Sequence, residues 1–214
     1  MKFSRITVCT AAVALAALST ACNKKTATTP NYTDAINAWY QAHPVCLWQD
    51  EKQFPVQAAS SDDAKTQGYD ALVDQGLLTR TTSEKRIIIV SKRENNYDLS
   101  QQGHAAWTAD PSQPGYGNFC YGHRKVTSID SSTAVTAQPG AKTTVDYHYT
   151  VSDVPGWAQA PETQTAFPQL HTALAGPQTG SATLVDTQQG WQVDSVSPSL
   201  KSSAATPADG SIAH

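Results

Sequence analysis

The side chains with the greatest chemical capacity in this sequence are its cysteines and histidines. A thiol can form a disulfide, bind a metal or act as a nucleophile, and an imidazole can transfer a proton or bind a metal. The sequence has four cysteines, Cys9, Cys22, Cys46 and Cys120, and six histidines, His43, His104, His123, His148, His171 and His214. The histidines are scattered, and a single Cys-x-x-His at Cys120 and His123 is not a zinc-binding pattern. We expect no metal site and no cofactor.

Short catalytic motifs are absent from the sequence. It contains no Gly-x-Ser-x-Gly elbow, no His-Glu-x-x-His pair and no Gly-rich phosphate loop. Asp146, Asp153 and Asp186 could form a carboxylate pair only if the fold brings them together. The sequence therefore favours a protein that is not an enzyme, and an enzyme with a dispersed active site is the alternative.

The amino terminus has the pattern of a secretory signal. Lys2 and Arg5 precede an apolar run over residues 6–18, and small residues follow it. The run is shorter than the about 20 apolar residues that span a bilayer. We expect residues 1–21 to be a signal peptide that is removed on export.

The end of this signal, Leu18-Ser19-Thr20-Ala21-Cys22, resembles the lipobox of bacterial lipoproteins, with Ser19 where that family most often has Leu. The resemblance implies cleavage before Cys22 and attachment of acyl chains such as palmitate to that cysteine. It also implies an anchor in the cell envelope, and Asn23, which is not Asp, implies the outer membrane facing the periplasm. The alternative is an ordinary signal peptide cut near Ala21.

Once Cys9 is removed and Cys22 is lipidated, Cys46 and Cys120 remain as a pair in an oxidising compartment. We predict a disulfide between them that closes a loop of about 75 residues and contributes about 2–4 kcal/mol. The alternative is a pair of buried free thiols.

The charge of the chain disfavours nucleic acid as a partner. Charged residues make up 15% of the sequence, and the 15 Lys and Arg against 18 Asp and Glu give a formal net charge of −3. A mildly acidic surface is not attracted to phosphate backbones, and an exported protein does not meet DNA.

Composition and periodicity divide the mature chain into five segments. They are a polar flexible tether over 22–31, a helical part with a small wing-like sheet over 32–107, a Pro- and Gly-rich linker over 108–118, an antiparallel β-rich part over 119–197 and a disordered tail over 198–214. The predicted fold class is α+β, with the Cys46–Cys120 disulfide joining the two structured parts.

Within the first part, residues 33–43 and 61–75 have the apolar spacing of helices, and short strands are predicted at 77–81, 86–90 and 97–99. Residues 71–80 and 97–103 resemble the recognition helix and wing of winged-helix domains. That resemblance implies a DNA-reading helix, but this helix region carries Asp62, Asp63, Asp70 and Asp74 against Lys65 alone. We interpret residues 61–107 as a winged-helix-like scaffold that does not read DNA.

The second part shows clear strand periodicity. Val145, Tyr147, Tyr149 and Val151 alternate with polar residues over 142–151, which predicts a half-buried antiparallel strand. Residues 182–186 and 190–196 predict a hairpin, and 162–174 predict a helix that Pro168 disturbs.

An aromatic cluster surrounds Cys120 in the sequence: Trp107, Tyr116, Phe119, Tyr121 and Trp157. We favour a core packed around the disulfide. The alternative is a binding surface formed by Tyr116, Tyr121 and Trp157, since exposed Tyr and Trp are frequent at binding hot spots.

The leading functional hypothesis is a lipid-anchored envelope protein that binds or structurally supports an envelope protein or polymer. The alternative is an envelope hydrolase acting on peptidoglycan or lipid.

Overall fold

The structure, a computed structural model, describes residues 29–87, 90–136 and 138–198. Several predicted features lie outside the described residues: the signal, Cys22, the rest of the tether up to residue 28, and the tail after residue 198 with His214. Within that described part, no helix has both the length and the apolar character needed to span a bilayer.

The helices are short, and their ends follow local signals. Those of the described residues are α1 Thr29–Ala42, α2 Asp63–Asp74, α3 Gln101–Ala106, α4 Gly156–Gln159, α5 Pro161–Ala166 and α6 Pro168–Leu174. Asp62 caps α2 by accepting a hydrogen bond from the Lys65 backbone N–H at 3.3 Å, and Ser100 caps α3 through Gly103 at 2.8 Å. The predicted helix at 162–174 is divided into α5 and α6, because Pro168 cannot continue the first one.

The strands form two antiparallel sheets, and the α+β class predicted from the sequence is confirmed. The strands of the described residues are β1 Val45–Cys46, β2 Lys52–Gln53, β3 Val56–Ala59, β4 Leu78–Ile87, β5 Val90–Leu99, β6 Trp107–Ala109, β7 Tyr116–Ser132, β8 Lys142–Ser152, β9 Gln178–Thr187 and β10 Gly190–Pro198. The larger sheet has the order β1-β7-β8-β9-β10, with β2 and β6 also paired to β7, and the smaller has the order β3-β5-β4.

The predicted disulfide is confirmed. Cys46 on β1 lies opposite Cys120 on β7 in the strand register, and their sulfur atoms are bonded at 2.08 Å. Strands β1, β2 and β6 come from the first half of the chain, so β7 is the strand on which both halves meet.

The smaller sheet corrects the strand boundaries predicted at 77–81, 86–90 and 97–99. Two ten-residue strands, β4 and β5, pair from Leu78 opposite Leu99 to Ile87 opposite Val90. The predicted middle strand at 86–90 therefore covers the end of β4 and the start of β5, and residues 88 and 89 lie outside the described residues. The prediction was wrong because most residues of this hairpin are polar, so its two long strands show little apolar alternation.

Helix α1 packs across the larger sheet and forms one of two apolar cores. Ile36 and Tyr40 are fully buried against β8 residues such as Tyr147, and the hydroxyls of Tyr40 and Tyr147 share a hydrogen bond of 2.6 Å. The alternation predicted for β8 is confirmed, with Val145, Tyr147 and Tyr149 buried. Helix α1 begins earlier than predicted, and residues 29–31 of the predicted tether form its first turn.

The other core combines residues from both halves of the chain. Leu72 of α2 and Leu77 pack with Phe119 of β7, with Phe167 between α5 and α6, and with Leu170 of α6. The three small helices from the second half therefore lie against the helix and sheet of the first half. This packing creates the groove described below.

Candidate functional site

An open groove of about 790 Å³ lies between α2 and α5. Four carboxylate residues line it: Asp63, Asp70, Asp74 and Glu162. Its other lining residues are uncharged, and Ala71 and Ala166 are among them. The groove is therefore acidic, with apolar surface between the carboxylates.

Small residues allow the two helices to approach. A Cβ atom added to Gly68, in the middle of α2, would lie 3.0 Å from Cζ of Phe167. The absence of a side chain at Gly68 leaves room for the ring of Phe167, the residue directly after α5. Ala71 on α2 and Thr163 on α5 are both buried, and so the inner faces of the helices are occupied by packing.

Asp70 is the most enclosed of the four acids, and a hydrogen-bonded network holds it. Its Oδ1 atom accepts hydrogen bonds from Arg80 Nη1 at 2.7 Å and from the Tyr97 hydroxyl at 2.8 Å. Asn95 Nδ2 donates to the same hydroxyl at 3.1 Å. Burial raises the pKa of Tyr97, and the hydrogen bond to Asp70 raises that pKa further, so the phenol stays protonated and donates. Asp70 therefore positions α2 on the smaller sheet.

The other three carboxylates, Asp63, Asp74 and Glu162, are exposed. Neither Lys, Arg nor His is present among the lining residues of the groove. Uncompensated carboxylates beside low-dielectric protein produce a negative potential that attracts cations and disfavours phosphate and carboxylate ligands. The groove thus suits a positively charged, partly apolar segment.

Two members of the predicted aromatic binding surface are core residues. Tyr121 and Trp157 have relative exposures of 3% and 9%, and Tyr116 is half-buried. Trp157 lies in the same core as Phe119, with ring centroids 6.1 Å apart. Rings in these positions stabilise the fold and form no exposed platform, so we place no binding surface at Tyr121 and Trp157.

A smaller cavity of about 380 Å³ lies beside the disulfide, with Cys120, His123, Asp153 and Trp157 in its lining. The His123 Nδ1 atom is buried without a hydrogen-bond partner. Both sulfur atoms are in the disulfide, so this cavity has no thiol nucleophile.

Among the candidate catalytic residues that the structure describes, His123 and Asp153 line the same cavity, and the structure does not bring His148, Asp146 and Asp186 to them. The Nδ1 atom of His148 on β8 lies 2.8 Å from Oδ1 of Asp130, on the polar face of the larger sheet. His123 lies opposite Ser152, which is four positions after His148 on β8. Asp146 lies opposite Ser181 on β9, five positions away from Asp186, so these two carboxylates do not converge. Over residues 29–87, 90–136 and 138–198, no group of three His, Cys, Asp or Glu residues has the arrangement of a metal site.

Sequence reasoning identified the acidic residues of α2 but not the groove. The excess of Asp over Lys in that helix was the available signal. Nothing in the sequence indicated that Glu162 would line the same groove. No protein-family model, curated protein or solved structure matches this chain. Its function is therefore inferred from its own residues.

Proposed function

We propose that this protein is an envelope lipoprotein, anchored by acyl chains on Cys22 in the outer membrane and facing the periplasm. Its folded part binds a positively charged segment of an envelope protein or polymer and catalyses no reaction. The acidic groove between α2 and α5 is the observation that carries the binding role. The lipobox-like sequence around Cys22 supports the location, because a lipid anchor raises the concentration of the folded part near membrane partners.

The enzyme alternative has less support. Paired carboxylates could act as general acid and base, but the most enclosed acid, Asp70, uses one oxygen to bind Arg80 and Tyr97. The other three acids are exposed along an open groove, which does not exclude water from a reacting group. The same acidic surface on α2 supports treating the winged-helix-like part as a scaffold, since DNA-reading helices are basic.

The first prediction concerns Cys22. Mass spectrometry of the mature protein is expected to find an amino-terminal Cys22 that carries acyl chains, and Cys22→Ser should abolish incorporation of labelled palmitate. The matched control is Cys9→Ser, which lies in the predicted signal and should leave palmitate labelling unchanged. Processing that is insensitive to globomycin, or an unmodified Cys22, would contradict the lipoprotein assignment.

The second prediction concerns the groove. Fluorescence anisotropy with a labelled hexalysine peptide should show binding that weakens as salt increases, because the attraction is largely between exposed charges. Neutralising two groove acids in Asp74→Asn/Glu162→Gln should weaken binding about tenfold, since each exposed charge contributes up to about 1 kcal/mol.

The control for the groove test is Asp34→Asn/Asp50→Asn, which removes the same charge from exposed positions outside the groove. It should bind hexalysine as the unaltered protein does. Equal weakening by both double variants would show that the peptide responds only to net charge, and the groove would not be the binding site. In cells, crosslinking from a photoreactive residue at position 165 should then capture a partner that the Asp74→Asn/Glu162→Gln variant loses.

A further inference from the structure

A second pocket adjoins the acidic groove, and Gln67 and Ala166 line both. It has a volume of about 330 Å³ and lies between β3 and the amino-terminal half of α2. Ligand-binding pockets usually measure about 300–1,000 Å³, so this one suits a single ring and not a long segment. We call it the aromatic pocket, after Trp48, Tyr69 and Phe167 in its lining.

The three rings form an apolar wall that the fold holds in place. The ring centroid of Trp48 lies 6.3 Å from that of Tyr69 and 6.2 Å from that of Phe167. The backbone of Trp48 is fixed by the side chain of Asn118, which accepts from its N–H at 3.2 Å and donates to its carbonyl at 2.8 Å. Trp48 and Tyr69 are only half-buried, so apolar ring surface remains accessible in the pocket.

The charge of the aromatic pocket is opposite to that of the groove. Lys52 and Lys65 line it, and none of its lining residues is Asp or Glu. Within the part of the chain that the structure describes, no carboxylate forms an ion pair with Lys52. Lys65 lies 3.1 Å from Asp62, but its side chain is 73% exposed, and an ion pair in water contributes little. Both ammonium groups are therefore able to bind an anionic ligand.

The pocket also presents neutral groups that form hydrogen bonds. Gln57 and Gln67 line it and are exposed, and a side-chain amide both donates and accepts, as an alcohol does. Burial raises the pKa of Tyr69, so its hydroxyl stays protonated and is a further donor. The pocket thus combines apolar rings, amides suited to hydroxyl groups and two positive charges.

We infer that the aromatic pocket binds a sugar ring that carries an anionic group. The C–H bonds of such a ring pack on the electron-rich faces of aromatic side chains. Its hydroxyls pair with the two glutamine amides and with Tyr69, and its anionic group lies near Lys52 and Lys65. This inference does not rest on the binding of a cationic segment in the groove, because none of the groove carboxylates lines the aromatic pocket.

Other anionic ligands match fewer of these groups. A free phosphate leaves the rings uncovered, and an apolar carboxylate leaves the amides without partners. A flat aromatic base is held best between parallel rings, but the ring plane of Trp48 makes angles of 46° with Tyr69 and 75° with Phe167. A sugar ring has C–H groups on its faces and its rim, so it packs against tilted rings.

The test is an NMR titration of the chain from residue 22 to residue 214, with Cys22→Ser to keep it free of acyl chains. The probes are glucuronic acid, glucose 6-phosphate, glucose, benzoate and adenosine monophosphate. Both acidic sugars should bind at least tenfold more tightly than glucose, since two lysines attract the charge. The tighter of the two identifies carboxylate or phosphate as the preferred anion. The indole N–H signal of Trp48 should shift on binding.

Two variants test the assigned contacts. Lys52→Ser/Lys65→Ser should weaken binding of the acidic sugars about tenfold, to the level of glucose, and Tyr69→Phe should weaken it about threefold by removing one hydroxyl. The matched control is Lys92→Ser/Lys125→Ser, which removes two exposed lysines outside the pocket and should leave binding unchanged. Thermal unfolding verifies that each variant is folded.

Four results would overturn the inference. They are acidic sugars that bind no more tightly than glucose, benzoate that binds more tightly than either acidic sugar, adenosine monophosphate that binds more tightly than glucose 6-phosphate, and equal weakening by the two lysine double variants. The second result would identify a site for apolar acids, and the third a site for a nucleotide base. Hexalysine binding to Lys52→Ser/Lys65→Ser reports on the groove alone, so failure of this inference and failure of the groove proposal are distinguishable.

Discussion

Removing the Cys46–Cys120 disulfide is expected to lower the free energy of unfolding by about 2–5 kcal/mol. The bond joins residues 74 positions apart in sequence, and a link across so long a loop strongly restricts the unfolded chain. It also attaches β1, which has only two residues, to the central strand β7. Chemical denaturation of Cys46→Ala/Cys120→Ala, monitored by tryptophan fluorescence, measures the change.

The control uses the unaltered protein in a strong reductant. Reduction should move its unfolding midpoint to that of Cys46→Ala/Cys120→Ala, and the double variant should not respond to reductant. Because Cys46 and Cys120 are only half-buried, loss of their side-chain packing adds little to the effect. Stability within about 0.5 kcal/mol of the unaltered protein would contradict the prediction, since that is the range of neutral surface substitutions.

The substitution Phe119→Ala should destabilise the protein by about 3–5 kcal/mol, the range for removal of a fully buried aromatic ring. Phe119 has no exposed surface, and three tryptophan rings surround it. The centroid distances are 5.0 Å to Trp107, 6.0 Å to Trp48 and 6.1 Å to Trp157. The cavity left by alanine cannot close easily between such rigid groups. Equilibrium urea denaturation is the measurement.

Two further substitutions make this test specific. Phe119→Leu keeps most of the apolar volume and should cost clearly less than Phe119→Ala. Tyr116→Ala removes an aromatic ring three positions earlier on β7, where the side chain is half-buried, and should cost about 1 kcal/mol or less. If Tyr116→Ala were as damaging as Phe119→Ala, the assignment of the aromatic cluster to a core centred on Phe119 would be wrong.

Several features could be predicted because their signals are local. The alternation of Val145, Tyr147 and Tyr149 indicates the buried face of β8 whatever packs on it, since side chains along a strand point alternately to its two faces. The side chain of Asp62 caps the start of α2, and Pro168 prevents α5 from continuing; both effects act within one turn. The pairing of Cys46 with Cys120 followed from the count of cysteines left after the signal. The lipidation signal at Cys22 is also local in sequence, and lipidation there stays a prediction.

Other features depend on contacts between distant residues. Tyr32 packs edge to face on Trp191, with ring centroids 5.3 Å apart, and this contact stabilises the early start of α1 in a segment whose composition indicated a tether. The length of the β4–β5 hairpin likewise could not be read from apolar periodicity, because most of its residues are polar.

The sequence by itself determined the α+β class, the disulfide, the main strand periodicity and the acidic character of α2, because each depends on residue types at short spacing or on a simple count. Only the tertiary structure decided that Asp70 and Asp74 share a groove with Glu162, and that Tyr121 and Trp157 belong to the core. Those outcomes depend on how α5 and β7 pack against elements far away in sequence. Such packing is selected by mutual burial of complementary shapes, which no single segment of the chain encodes.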